Sequence, residues 1–150
     1  MRRMVWYLAL LVPAFLFPVR RSDLGMLKPV ETILILKEEE TVVIRTDMED
    51  EGKGSTVAEA LNDLMETAAG IIYLDTADYL LLGAGADDYV EEIAVYLKKS
   101  VYVCEAEEDV DTKKAARYLS VHKPERKLRD WTKDANLQKL CTDGDSMKLY

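Results

Sequence analysis

Apolar residues beyond position 30 recur at two spacings, one typical of strands and one typical of helices. Short apolar runs at 32–36 and 41–45 flank the charged stretch Lys-Glu-Glu-Glu, which predicts two strands joined by a turn. Runs at 79–82 and 101–106 predict two further strands, and a shorter strand fits just after residue 70. The polar stretch DMEDEGKGS at 47–55 is predicted to be a loop.

Between these strands, apolar residues recur at the spacing of helices that bury one face. Thr56 and Glu59 form the signature of a capping box, and Gly70 marks where that first helix is expected to stop. A second helix is predicted to begin at Asp87 or Asp88, and a third covers about 112–119. A looser stripe after the proline at position 124 predicts a fourth helix, through Leu128, Trp131, Ala135 and Leu140.

The order of these elements is ββαβαβα, and it predicts an α/β (α+β) fold with helices packed on a mixed β-sheet. Strands separated by a helix normally run parallel, whereas strands joined by a short turn run antiparallel. We divide the chain into a signal or membrane anchor at 1–21, an α/β domain at 22–120 and a basic C-terminal extension at 121–150.

The N-terminal segment differs in character from the rest of the chain. Arginine pairs at positions 2–3 and 20–21 enclose the apolar run MVWYLALLVPAFLFPV. We expect an uncleaved membrane anchor with the domain outside the cytoplasm; a cleaved export signal and a buried core helix are the alternatives. The arginine pairs nearly cancel the positive-inside bias, and the N-terminal amine favours the outside orientation.

Charge is distributed unevenly along the chain. Residues 31–110 carry five basic and twenty-one acidic side chains, so this block has a net charge of −16 within a chain whose net charge is −8. Phosphate backbones repel such a surface, and the interleaved basic and aromatic residues of a single-strand binding site are missing from this block. We therefore expect no nucleic-acid partner.

The stretch LLLGAGADD at 80–88 has the strand–glycine–helix order of a nucleotide-binding unit. A phosphate would sit at the free N–H groups of the helix start. Asp87 and Asp88 are expected to occupy those groups themselves and to repel an anion. A third glycine of a dinucleotide fingerprint is also missing. We predict a capped turn and no nucleotide cofactor.

Other candidate motifs also lack the spacing that their chemistry needs. In EGKGST, Gly54 separates the lysine from the serine, unlike in a Walker A loop. His122 is the only histidine, and no cysteine or serine is placed beside it. The acidic clusters at 38–40, 47–51 and 105–111 do not have calcium-loop spacing. We predict no catalytic, cofactor-binding or metal site, and no enzyme.

The two cysteines are too far apart in sequence for a Cys-x-x-Cys redox or zinc site. Cys104 lies in the strand candidate VYVCEA, so we expect a buried, unreactive thiol, and Cys141 lies in a polar tail. Whether the two pair in a disulfide is left open, because sequence does not give the separation of their Cα atoms.

Five stretches together resemble the N-terminal domain of Ger(x)C-type spore germination proteins, the C subunits of germinant receptors. They are RRSDLGML, the paired strands, STVAEALNDLMETAAG, IIYLDTADYLLLGAGADDYVEEIAVYLKKS and VYVCEAEEDVDTKKAARYLS. That domain similarly runs from an arginine-rich entry through a strand pair, an S-x-x-E-A-L helix, a strand ending in glycine, an acidic helix, and a strand followed by an alanine-containing helix.

The resemblance implies a non-enzymatic, membrane-associated component of nutrient-triggered germination in spore-forming Firmicutes, placed at the spore inner membrane with multi-pass membrane subunits as partners. The chain lacks the family's lipid-attachment cysteine after the signal, has Thr76 where a histidine is common, and is far shorter than a full C subunit. The alternative is an anchored extracytoplasmic ligand-binding or assembly module of sporulation or the envelope, unrelated to germinant sensing.

Overall fold

A computed structural model describes residues 26–107, 110–133, 136–143 and 146–150. The predicted anchor at 1–21 lies outside the described residues. The strands and helices, in chain order, are β1 Leu27–Pro29, β2 Thr32–Glu38, β3 Thr41–Thr46, β4 Glu51–Gly54, α1 Val57–Thr67, β5 Ile71–Tyr73, β6 Tyr79–Leu82, α2 Val90–Ile93, β7 Tyr102–Ala106, α3 Thr112–Val121, β8 Lys139–Asp143 and β9 Ser146–Leu149.

Seven strands form one mixed sheet in the order β4-β3-β2-β6-β7-β8-β9. The four central strands β2, β6, β7 and β8 run parallel, while β3 and β4 on one side and β9 on the other are antiparallel to their neighbours. The hairpin β2–β3 and the parallel pairing of strands separated by helices follow the predicted pattern. The predicted fold class, a mixed sheet with helices packed on it, is confirmed.

Helices cover both faces of this sheet. On β6, Leu80 and Leu82 belong to one core cluster together with residues of α1 and α2, whereas Leu81 belongs to a second cluster together with residues of α3. Each of the three leucines is at most 2% exposed. A strand buried on both faces is apolar at every position instead of alternating, which explains the continuous run YLLL.

The helix α1 begins where the sequence predicts. The hydroxyl of Thr56 accepts a hydrogen bond from the N–H of Glu59 at 3.2 Å, and the carboxylate of Glu59 accepts one from the N–H of Ser55 at 2.9 Å. The return bond of the capping box therefore goes to the residue before the cap. The helix ends at Thr67, with Ala68 as its C-cap, before the predicted stop at Gly70.

Four strands, β1, β4, β8 and β9, were missed by the sequence patterns. The stretch predicted to be a loop contains β4, which pairs with β3 and packs against α1. Gly52 and Gly54 allow this close packing: a Cβ on Gly54 would lie 2.5 Å from the amide nitrogen of Ala60.

The predicted second helix is shorter than its apolar pattern, and the predicted fourth helix is wrong. A 3₁₀ turn at Ala86–Tyr89 leads into the four-residue α2. After Pro124, the described residues contain a 3₁₀ turn at Leu128–Asp130 followed by β8 and β9. Leu128 and Leu140 are both buried, but in clusters on opposite faces of the sheet, so their spacing does not mark one helix face.

β1 and β5 form a separate two-stranded parallel sheet, and β1 leads into the amino end of β2. The register of this sheet pairs Leu27 with Ile71 and Pro29 with Tyr73. The hydroxyl of Thr76 links the ends of its two strands, since the Val30 N–H donates to Thr76 Oγ1 at 3.0 Å and that oxygen lies 2.7 Å from the carbonyl oxygen of Tyr73.

Candidate functional site

The parallel strands place a cavity where ligands commonly bind in open α/β sheets. The connection after β6 passes through α2 on one face, whereas the connection after β7 passes through α3 on the other. A crevice forms outside the carboxyl ends of two such neighbouring strands because their connections separate. The cavity in this structure lies at that point and has a volume of about 230 Å³.

Residues from four parts of the chain line the cavity. The turn after β6 contributes Gly83, Ala84 and Gly85, and the residue Asp87 follows it. Glu105 and Lys139 come from the adjacent strands β7 and β8, where they are register partners. The segment between α3 and β8 closes the remaining side with Trp131, Lys133 and Leu137.

Both glycines of the turn suit its geometry. The N–H of Gly83 donates to the carbonyl oxygen of Ile35 at 2.8 Å, and a Cβ on Gly83 would lie 2.5 Å from Leu36 Cδ2. Gly85 has φ of +71°, in the left-handed region that favours glycine. The turn is therefore tight for steric reasons that do not depend on a phosphate.

The expected capping by an aspartate is wrong. The N-cap of the 3₁₀ turn is Gly85, and no side chain bonds the first N–H groups of that turn. The carboxylate of Asp88 instead bonds the Lys133 ammonium at 2.8 Å, with the Lys37 ammonium 3.9 Å away. The hydrogen bond with Lys133 lowers the pKa of Asp88, and the same bond raises the pKa of Lys133.

The lining therefore combines charges of both signs. Lys133 is already paired with Asp88. Among the described lining residues, the charged groups that remain available to a ligand are the ammonium of Lys139 and the carboxylates of Asp87 and Glu105. Two carboxylates disfavour an anion such as a phosphate. With the half-buried indole of Trp131, this arrangement can hold a small polar molecule that carries a positively charged group.

The acidic cluster at 47–51 has partners within the fold. Asp47 accepts hydrogen bonds from the N–H groups of Glu31 and Thr32, and Asp50 bonds the ammonium of Lys28 at 2.9 Å. Glu51 bonds Arg45, and this bond lowers the pKa of Glu51. Across the described ranges, no group of three or more His, Cys, Asp and Glu side chains could hold a metal ion.

The remaining candidate residues lie away from the cavity. His122 is exposed at the end of α3, where its ring stacks on Tyr118 with 4.4 Å between the ring centroids. Cys104 is fully buried in the cluster beneath α3, which confirms the expected core position, and both it and Cys141 are free thiols. Burial raises the pKa of the Cys104 thiol to about 12.

We expect the two thiols to differ sharply in reactivity. Because the thiolate is the nucleophile, a raised pKa leaves Cys104 protonated near neutral pH, and it becomes reactive only as the pH approaches its pKa. In native buffer a thiol reagent should label Cys141 alone, and denaturant should release Cys104. The variant Cys141→Ser is the control, which should stay unlabelled until it unfolds. Rapid native labelling of that variant would contradict the buried position of Cys104.

Sequence patterns did not identify the C-terminal half of the cavity. The segment after α3 returns to β7, where Lys127 forms a bridge with Tyr102. This path brings four residues of the later chain to the cavity: Trp131, Lys133, Leu137 and Lys139. No local motif marks that path. The pair Gly83 and Gly85, in contrast, was visible in the sequence as a strand-terminating turn.

None of the helices in the described part of the chain is long and apolar enough to cross a bilayer. Compared with protein-family models, with curated proteins and with solved structures, this chain has no match, so its function has to be argued from the fold and the cavity.

Proposed function

We propose that this protein is a non-enzymatic, membrane-associated component that acts outside the cytoplasm in nutrient-triggered spore germination, in the manner of a germinant-receptor C subunit. The observation that supports this most is the succession of elements over residues 27–121. The stretches that resemble the Ger(x)C domain fall on a strand pair, α1, β6 followed by Gly83, an acidic turn, β7 and α3, in that order.

The position of β1 supports the anchored arrangement. Its first residue follows closely on the apolar run and on the arginine pair at 20–21, so the domain begins only a few residues after the segment proposed to enter the membrane. The described domain has two buried core clusters of its own. An anchor and an independently folded domain are therefore compatible. The proposed partners are multi-pass membrane subunits of the same receptor.

Membrane attachment is tested by deleting residues 1–21. We expect the full chain, expressed in a spore-forming host, to sediment with membranes, because a run of sixteen apolar residues has no polar face for water. The shortened chain should remain in the soluble fraction and keep a cooperative melting transition. If both versions are soluble, anchoring and the germination-receptor proposal are both wrong.

The germination role needs its own test. Spores that lack the gene should form in normal numbers and should respond more slowly to nutrients, while artificial triggers that bypass the receptors should act at the normal rate. Restoring the full chain should restore the response, and the version without residues 1–21 should not. An unchanged nutrient response would leave anchoring intact and would contradict the role in germination.

The cavity favours a second candidate, an anchored ligand-binding module. We expect a small molecule carrying an ammonium group to stabilise the protein, whereas ATP and NAD should not, because Asp87 and Glu105 repel phosphates. A ligand present at 100 times its Kd adds about 2.7 kcal/mol, which a thermal melt detects.

Variants locate the binding. Glu105→Gln should abolish the shift in melting temperature caused by the amine, while Asp130→Asn, an exposed carboxylate outside the cavity lining, should preserve it. A reproducible shift with a nucleotide, or a shift with the amine that survives Glu105→Gln, would contradict this candidate.

A further inference from the structure

The small sheet β1–β5 carries an exposed apolar surface, which we call the β1–β5 apolar face. It consists of Leu27, Pro29, Ile71 and Tyr73, with Met26 beside it. Ile71 and Met26 are each 59% exposed, Tyr73 is 46% exposed and Leu27 is 39% exposed. These are among the most exposed large apolar side chains of the described chain.

The register of the two strands makes this one continuous surface. Side chains alternate between faces along a strand, so the paired positions Leu27–Ile71 and Pro29–Tyr73 share one face. The intervening pair faces the main domain, where Ile72 is 7% exposed and Lys28 bonds Asp50. A solvated sheet face normally carries polar side chains. Here the charged residue points inward and all four outward residues are apolar.

The chain itself indicates what covers this face. Only six residues, Arg20 to Gly25, separate the end of the apolar run from Met26, and six extended residues span at most about 20 Å. If residues 4–19 enter a bilayer, as proposed above, the start of the β1–β5 apolar face lies within about 20 Å of it. Tyrosine is enriched at membrane interfaces, and the arginine pair suits lipid phosphates.

We propose that the β1–β5 apolar face lies in the headgroup region of the bilayer that the N-terminal segment enters. The proposal rests on the anchoring part of the proposed function. It adds a second point of contact, which fixes the orientation of the domain relative to the membrane. A chain held only by its N-terminal segment would leave the domain free to rotate on its linker.

The test places one fluorescent label at a time on the full chain. In a Cys141→Ser background, Cys104 stays unreactive, so bimane can be attached at Ile71→Cys on the proposed face or at Glu40→Cys as the control. Glu40 is exposed in the β2–β3 turn, at the carboxyl end of β2 and so at the opposite end of that strand from β1. Each protein is reconstituted into phosphatidylcholine vesicles with and without spin-labelled phosphatidylcholine, then isolated by flotation.

Flotation and quenching answer separate questions. We expect both proteins to float with the vesicles. Because an interfacial group lies about 5–10 Å deep, the spin-labelled lipid should quench roughly half of the fluorescence of the label at position 71. The fluorescence of the label at position 40 should stay at its level in water. Floating protein with position 71 unquenched would overturn the face proposal alone. A blue-shifted but unquenched label would do the same and would indicate contact with a second copy. Protein that fails to float would overturn the anchor as well.

Discussion

Replacing Gly52 by alanine is expected to lower the free energy of unfolding by about 3 kcal/mol, at the upper end of the usual cost of overpacking. A Cβ at this position would lie 2.5 Å from the amide nitrogen of Leu64 and 2.6 Å from Leu64 Cβ, and it would also meet the carbonyl oxygen of Ala60. Two of these three atoms are helix backbone, so α1 would have to move away from β4. The melting temperature should fall by roughly 10 °C.

The matched control is Lys53→Ala, one residue along the same strand. Its side chain is 51% exposed and its ion pair with Glu51 is a surface contact, so the change should alter stability by about 0.5 kcal/mol or less. Chemical denaturation of the three proteins side by side measures both values. If Gly52→Ala were as stable as Lys53→Ala, the close packing of α1 on β4 would be refuted.

Leu80→Ala and Leu81→Ala are each expected to destabilise the protein by about 3 kcal/mol, within the range for buried leucines. The two side chains are neighbours in sequence and point to opposite faces of β6, and both are fully buried. Leu80 packs in the cluster with α1 and α2, and Leu81 packs in the cluster with α3. Equal losses are the signature of a strand covered on both sides.

Ile71→Ala provides the control for this pair. Ile71 is also a large aliphatic strand residue, but it is 59% exposed. In the chain without residues 1–21, measured in the absence of detergent, Ile71→Ala should therefore change the free energy of unfolding by less than about 1 kcal/mol. A large loss at Leu80 with little loss at Leu81 would show that α3 does not cover its face of the sheet.

The strands and helices that were predicted correctly are those whose signals are local. Apolar runs located β2, β3, β6 and β7, and the cap at Thr56 located the start of α1 within one residue. The strand β4 was missed because its sequence, EGKG, has no apolar side chain. Its glycines allow close contact with α1. That contact depends on the three-dimensional packing of the two elements, so the local sequence does not reveal it.

The candidate site was less predictable, since its parts meet only through the sheet. The glycine turn could be recognised from the chain, but its function as a possible phosphate cradle depended on where Asp87 and Asp88 point. Asp88 pairs with Lys133, which is far along the sequence in a segment that the spacing of Leu128 and Trp131 had wrongly predicted to be helical. An ion pair between residues that are 45 positions apart in the sequence leaves no local sequence pattern.

The direction of the parallel strands has a consequence for access. β1 leads into the amino end of β2 and the cavity opens at the carboxyl ends of β6 and β7, so the proposed membrane contact and the cavity lie at opposite ends of the strands. Seven residues of β2 span about 20 Å. If the β1–β5 apolar face lies in the headgroup region, as proposed, the cavity stands above the lipid headgroups and is reached from the water phase. A diffusing solute could enter it unhindered, whereas a membrane-embedded subunit could touch it only with a loop that extends well clear of the bilayer.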